Sequence, residues 1–258
     1  MNRIDTLFAG GRRGVLSVYC TAGYPQRDST LEVMEALQDS GVDMIELGMP
    51  YSDPLADGPV IQASSMAAIA NGMTVELLFQ QLQGFRGRVK VPVLLMGYLN
   101  TVLQYGFERF CADAAAAGID GLILPDLPMH EYETQYAPVL RTHGLHLVFL
   151  VTPETAPERI RKIDALSSGF LYAVSSSSTT GKNKEMSETY LQRLEAMGLT
   201  NPVLVGFGIR DAATFDAACA HTNGAIIGTA FIKALKGPEA AGNTLSEVTR
   251  GFIKTIRP

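Results

Sequence analysis

The 258-residue chain has no tryptophan, four histidines and three cysteines. Cys20, Cys111 and Cys219 are odd in number and far apart, which argues against a disulfide framework. Their apolar or alanine-rich neighbours mark them as small buried hydrophobes, as suits a reducing cytoplasm. No run of about 18 apolar residues occurs, so no membrane span is expected. The opening residues MNRIDTLFAGGRRG lack the apolar stretch of a secretory signal, and a cytoplasmic location is the expectation. Twenty-one Lys and Arg stand against 26 Asp and Glu, a net charge of −5. The basic residues are scattered, which argues against a nucleic-acid surface. H-E-x-x-H, C-x-x-C and G-x-S-x-G are missing, and none of His130, His143, His146 and His221 ends a predicted strand. No metal site and no serine triad are therefore expected.

What is present is a repeated alternation. Short apolar runs at 15–21, 43–47, 91–97, 120–125, 146–151, 169–174, 202–207 and 224–228 read as eight strands. Longer helical patterns lie between them, many closed by glycine and several opened by Ser, Thr or Asp, with Thr30 and Asp211 as examples of N-caps. The near-continuous apolar character of the strands fits parallel strands buried on both faces. Eight such units in this length predict an α/β fold, a (β/α)8 TIM barrel forming one catalytic domain over residues 1–258. A doubly wound open sheet is the alternative, although the first strand-to-helix turn lacks G-x-G-x-x-G.

In a barrel the loops at the C-terminal strand ends build the active site. At the end of the second predicted strand stands Glu46, followed by MPYSDPLADGP with Asp53 and Asp57. Alternation puts Met44 and Glu46 on one side of the strand, inward, and Ile45 and Leu47 toward the helices. An inward carboxylate is costly unless paired or neutral. A salt bridge to a neighbouring lysine is one explanation, but no strand carries an obvious interior lysine. A general acid/base with a raised pKa is the other. Asp57 lies in an Asp-Gly pair that a simple turn would also explain. Its place beside Glu46, in a segment stiffened by Pro50, Pro54 and Pro59, favours a role at the barrel mouth. Asp53 reads as a cap or as a contact to a partner surface.

Three glycine-bearing loops follow the sixth, seventh and eighth predicted strands: Thr180-Gly181, Gly206-Phe207-Gly208 and Gly228-Thr229. Backbone N–H groups at such glycines, with a short helix predicted over TAFIKALK, suit a phosphate group. The polar segment SSSSTTGKNKEM reads either as an idle surface loop or as a lid beside these loops.

The run Glu46-Leu-Gly-Met-Pro-Tyr-Ser-Asp-Pro-Leu-Ala-Asp-Gly-Pro59, with Ile61-Gln62 after it, resembles the signature of the tryptophan synthase alpha subunit family. The resemblance extends over essentially the whole chain, through Thr21-Ala-Gly-Tyr-Pro25, Asp126-Leu-Pro128, Gly181, Gly206-Phe-Gly-Ile209 and Gly228-Thr229. It implies a lyase of L-tryptophan biosynthesis that splits indole-3-glycerol phosphate into indole and glyceraldehyde 3-phosphate. It implies that Glu46 is the general acid/base and that Asp57 accepts the indole N–H. Tyr19, Tyr98, Ile123 and Tyr172 would line the indole pocket, and Thr180 would bond Asp57 under a closed lid. Gly181, Phe207, Gly208, Gly228 and Thr229 would hold the phosphate. It further implies no cofactor in this chain. The partner would be a beta subunit carrying pyridoxal phosphate in an alpha2beta2 heterotetramer, with Asp53 on a partner-facing loop. The chain departs from the family in its lid run Ser175-Ser-Ser-Ser-Thr-Thr-Gly181, in Tyr19 and Tyr51 where phenylalanine is frequent, and in Thr229 where serine is. The residues alone also leave room for another phosphosugar isomerase or epimerase, or for a barrel that mainly activates a partner.

Overall fold

The computed structural model describes residues 1–174, 188–206, 208–236 and 242–258. Nine strand segments among them form one parallel sheet: β1 (Val15–Thr21), β2 (Met44–Gly48), β3 (Val93–Met96), β4 (Gly121–Ile123), β5 (His146–Val148), β6 (Leu150–Val151), β7 (Leu171–Ala173), β8 (Val203–Val205) and β9 (Gly224–Ile227). The order is β5-β4-β3-β2-β1-β9-β8-β7-β6. β5 and β6 are the two halves of the fifth predicted strand, interrupted at Phe149; one half pairs with β4 and the other with β7. The ring is thereby closed into a barrel, and the open-sheet alternative falls. The paired cores are shorter than the apolar runs in several places, as in β3 against 91–97 and β4 against 120–125, because the run continues past the last ladder bond into the loops.

Both faces of the strands are covered. Val15, Met44, Leu94, Ile123, Val148, Tyr172, Leu204 and Ile226 form a buried cluster inside the barrel. Ile45, Leu47, Val93, Leu95, Leu122 and Leu147 belong to the larger cluster shared with the surrounding helices. This is the period-2 alternation expected of a pleated strand. The helix Arg3–Phe8 carries Ile4 into the interior cluster at the N-terminal end of the barrel. There Asp120, 2 % exposed, accepts hydrogen bonds from Arg86, from Arg3 at 2.9 Å and from the Val93 N–H at 2.8 Å. Two guanidinium groups and a backbone donor meet the desolvation cost of this buried carboxylate. His146 bonds Asp5 at the same end, away from the strand C-termini, as the sequence implied.

Helix starts show both agreement and correction. Asp211 caps the helix Ala212–His221 through a reciprocal box with Thr214. Thr30 is not an N-cap: Ser29 holds that place, and the Thr30 hydroxyl accepts the Gly23 N–H at 3.0 Å instead. A tertiary donor from the loop after β1 has taken the hydroxyl that a local cap would use. Helices Val75–Gln81, Leu99–Tyr105 and Leu245–Ile256 add to the outer layer. No helix among the described residues is long and apolar enough to cross a membrane.

Candidate active site

Glu46 stands on β2 opposite Tyr19 of β1 and is fully buried. The Ser17 hydroxyl donates to Glu46 Oε1 at 2.9 Å, while Oε2 has no partner among the described residues. No ion pair among the described residues, which include every neighbouring strand, reaches this carboxyl, so a salt bridge to a neighbouring strand's lysine does not hold. Burial pushes its pKa from 4.5 to about 8, against a smaller opposite pull from the Ser17 hydrogen bond. At neutral pH the group is a neutral acid whose conjugate base is accessible, the state a proton-transfer catalyst needs.

Asp57 lies on the segment that leaves β2. The prolines stop regular structure after Gly48, and Pro59 then starts the helix Pro59–Ala70 at a position where its missing N–H costs nothing. Tyr98, at the end of β3, ties the segment down: its hydroxyl donates to Asp57 Oδ2 at 3.0 Å and accepts the Ala56 N–H at 3.0 Å. The Tyr51 ring packs on Tyr98 with centroids 5.2 Å apart. Burial raises the Asp57 pKa and the Tyr98 hydrogen bond partly offsets that. Asp57 is thus held by a side chain from the loop after β3, more than a turn requires. Asp53 is exposed and accepts a hydrogen bond from its neighbour Ser52.

Tyr19, Met49, Met96, Tyr98 and Asp57 line one narrow cavity at the C-terminal mouth. A wider cleft of about 280 Å³ shares Pro125 with it and runs between the loop 124–129 and the helix Pro157–Leu166. The Tyr19 ring fits because residue 48 is glycine; a Cβ there would lie 2.1 Å from its hydroxyl. Gly206 makes the same room for Tyr172, whose ring a Cβ would meet at 2.1 Å. Tyr172 and Ile123 belong to the interior cluster and do not line the narrow cavity. Tyr172 nevertheless lies close enough to Glu46 and Asp57 for their charges, after its own burial, to raise its pKa.

Gly228 follows β9 and is the N-cap of the helix Thr229–Ala234, where no side chain among the described residues caps the first-turn N–H groups. Gly208 follows β8, exposed, at φ +73°. Thr180, Gly181, Phe207 and the whole of the expected lid, 175–186, lie outside the described residues. Among the described residues no group of three or more His, Cys, Asp or Glu is placed to hold a metal.

Of the two acids, Asp57 lines the narrow cavity, while Glu46 is buried on β2 and lines neither cavity. This arrangement, with the glycine loops after β8 and β9, carries the resemblance noted from the signature run. The family model for the tryptophan synthase alpha chain matches residues 9–254. The chain belongs to the tryptophan synthase alpha chain family. The alpha chain of Parabacteroides distasonis is 52% identical over 239 residues, covering 92% of this chain and 93% of that one. That of Flavobacterium johnsoniae is 50% identical over 260 residues, covering 100% of both. The crystal structure of the alpha chain from Legionella pneumophila subsp. pneumophila matches with a TM-score of 0.89 at 33% identity, covering 100% of this chain and 96% of that one. The aminoacrylate-bound tryptophan synthase from M. tuberculosis matches with a TM-score of 0.84 at 32% identity, covering 99% and 98%. The chain is accordingly a carbon–carbon lyase that cleaves indole-3-glycerol phosphate in tryptophan biosynthesis, and the family membership implies a beta-subunit partner.

Sequence reasoning missed Ser17, Met49 and Met96 at this site. Ser17 had a signal: it is the polar residue two positions before Tyr19, on the same strand face. The two methionines had none, because a methionine in an apolar run reads as core packing.

Proposed function

We propose that Glu46 and Asp57 together carry out the cleavage, within a single barrel domain and without a cofactor in this chain. Glu46 starts as the neutral acid and gives its proton to C3 of the indole ring. That carbon becomes tetrahedral, and the ring becomes a cation with its charge centred near N1. Asp57, ionised, accepts the N1–H and stabilises that charge by fixed electrostatics. The carboxylate left on Glu46 then takes the proton of the adjacent glycerol hydroxyl. The O–H electron pair forms the aldehyde C=O, and the C3–carbon bond breaks. Its electron pair restores the neutral aromatic ring, and Glu46 is again protonated. No redox partner is needed.

Tyr19, Tyr98, Ile123 and Tyr172 wall the indole, and Thr180 meets Asp57. The phosphate is held by Gly181, Phe207, Gly208, Gly228 and Thr229. Indole passes to a beta subunit that holds pyridoxal phosphate, in an alpha2beta2 assembly in the cytoplasm, with Asp53 facing that subunit. The observation that carries the reading is the fully buried Glu46, with one oxygen held by Ser17 and the other without a partner among the described residues. Indole release from indole-3-glycerol phosphate, with and without a beta subunit, tests it. Glu46→Gln and Asp57→Asn should each abolish release while the far-UV spectrum is retained. Near-normal turnover in either variant refutes the assignment.

A further inference from the structure

Ser17 is the third residue of β1, in the run VLSVYCT, and is fully buried. A hydroxyl inside an apolar barrel has lost its water and needs a partner. Its partner among the described residues is Glu46 Oε1, at 2.9 Å. The other groups near Glu46 differ in kind. Tyr19 lies alongside it on β1 and Leu94 on β3. Cys20 and Tyr172 feel its charge, and Tyr172 that of Asp57 as well. Among the described residues none of these donates a hydrogen bond to the carboxyl and no cation pairs with it.

We infer that Ser17 is a positioning residue for Glu46: it pins the carboxyl by Oε1, leaving Oε2 as the atom that delivers the proton to the indole ring and takes one back from the glycerol hydroxyl. The inference rests on the reading of Glu46 as the acid/base. In the resting acid Oε1 is the carbonyl oxygen, which accepts the Ser17 hydroxyl, and the proton sits on Oε2. When Oε2 gives up that proton the Ser17 hydrogen bond becomes charge-assisted and strengthens. It therefore stabilises the carboxylate of the intermediate more than the resting acid, which lowers the barrier between them. The orientation of the catalytic group is thus built into the rigid first strand, independent of the loops.

The test uses the full-length chain and follows indole release from indole-3-glycerol phosphate across pH for Ser17→Ala, Ser17→Thr and Glu46→Gln. Activity needs the neutral acid, so it falls as pH rises through the Glu46 pKa. Removing a donor to the carboxylate disfavours the ionised form. In Ser17→Ala the basic limb should therefore move to higher pH by about one unit while kcat at neutral pH falls roughly 10-fold. KM should stay within about twofold, because Ser17 does not touch substrate. Ser17→Thr, which keeps a hydroxyl, should restore both kcat and the limb. A serine that only fills space would change stability and leave the limb in place. Should Ser17→Ala not fold, Ser17→Cys, of similar size but a weaker donor, should move both quantities in the same direction. Unchanged kcat and pH profile in the folded variants overturn the inference if Glu46→Gln is inactive. An active Glu46→Gln overturns the acid/base reading instead.

Discussion

Replacing Glu46 by glutamine should make this protein more stable at neutral pH while removing its activity. In the unfolded chain Glu46 releases its proton near pH 4.5; in the fold burial holds it until about pH 8. Below pH 4.5 both states are protonated and folding carries no penalty. Above it the unfolded chain gains by ionising and the folded chain does not, so stability falls by about 1.4 kcal/mol per pH unit until the folded group also titrates. At pH 7 the accumulated cost is roughly 3 kcal/mol, a large part of the ~5–15 kcal/mol that stabilises a typical domain. Glutamine keeps the shape and the Oε1 acceptor for Ser17 and never ionises. Urea unfolding of both proteins at intervals from pH 4.5 to 8 should give stabilities that diverge with rising pH, the wild type losing ground to the variant by about 3 kcal/mol at pH 7. Two curves that stay parallel over that range would show that the carboxyl is not held as a buried acid, and the mechanism would lose its proton donor.

Tyr98→Phe removes the donor to Asp57 and frees the Ala56 N–H; kcat/KM should fall about 10-fold, and the acid limb of its pH profile should move up, since the lost hydrogen bond favoured the ionised Asp57. Gly228→Ala adds a Cβ that meets Tyr19 Cβ at an ordinary 3.5 Å, so the fold should hold; KM should nevertheless rise roughly 10-fold with kcat little changed, read by steady-state kinetics, if phosphate lies against that backbone. Asp120→Ala removes the carboxylate acceptor of Arg86 Nη2, Arg3 Nη1 and the Val93 N–H, though Arg86 keeps its bonds to backbone carbonyls, and should destabilise the protein by about 3–5 kcal/mol in chemical denaturation, with kcat unchanged wherever the variant is folded.

Much of the site was legible in one dimension because its residues follow strand phase. Once DMIEL is a strand, Met44 and Glu46 must share a side, and the apolar Ile45 and Leu47 leave little doubt which side faces the helices. The capping box at Asp211 is equally local, needing only Thr214 three residues on. The Thr30 expectation failed for the complementary reason. Its hydroxyl was captured by the Gly23 N–H, a partner that local pattern does not reveal. Tyr98 could be placed after β3 but not on Asp57, since 41 residues separate them and only the closing of the barrel brings them to 3.0 Å.

The order of strands and helices, the inward phase of Glu46 and the proline-stiffened segment with Asp57 all follow from the linear chain, because periodicity and turn chemistry act over a few residues; the family is legible there only through the resemblance of the signature run. The tertiary structure alone decided that Glu46 is fully buried, that its hydrogen-bond donor among the described residues is Ser17, and that glycines 48 and 206 make room for two tyrosine rings. Desolvation and hydrogen bonding depend on what stands across the barrel, and the chain closes that distance only by folding.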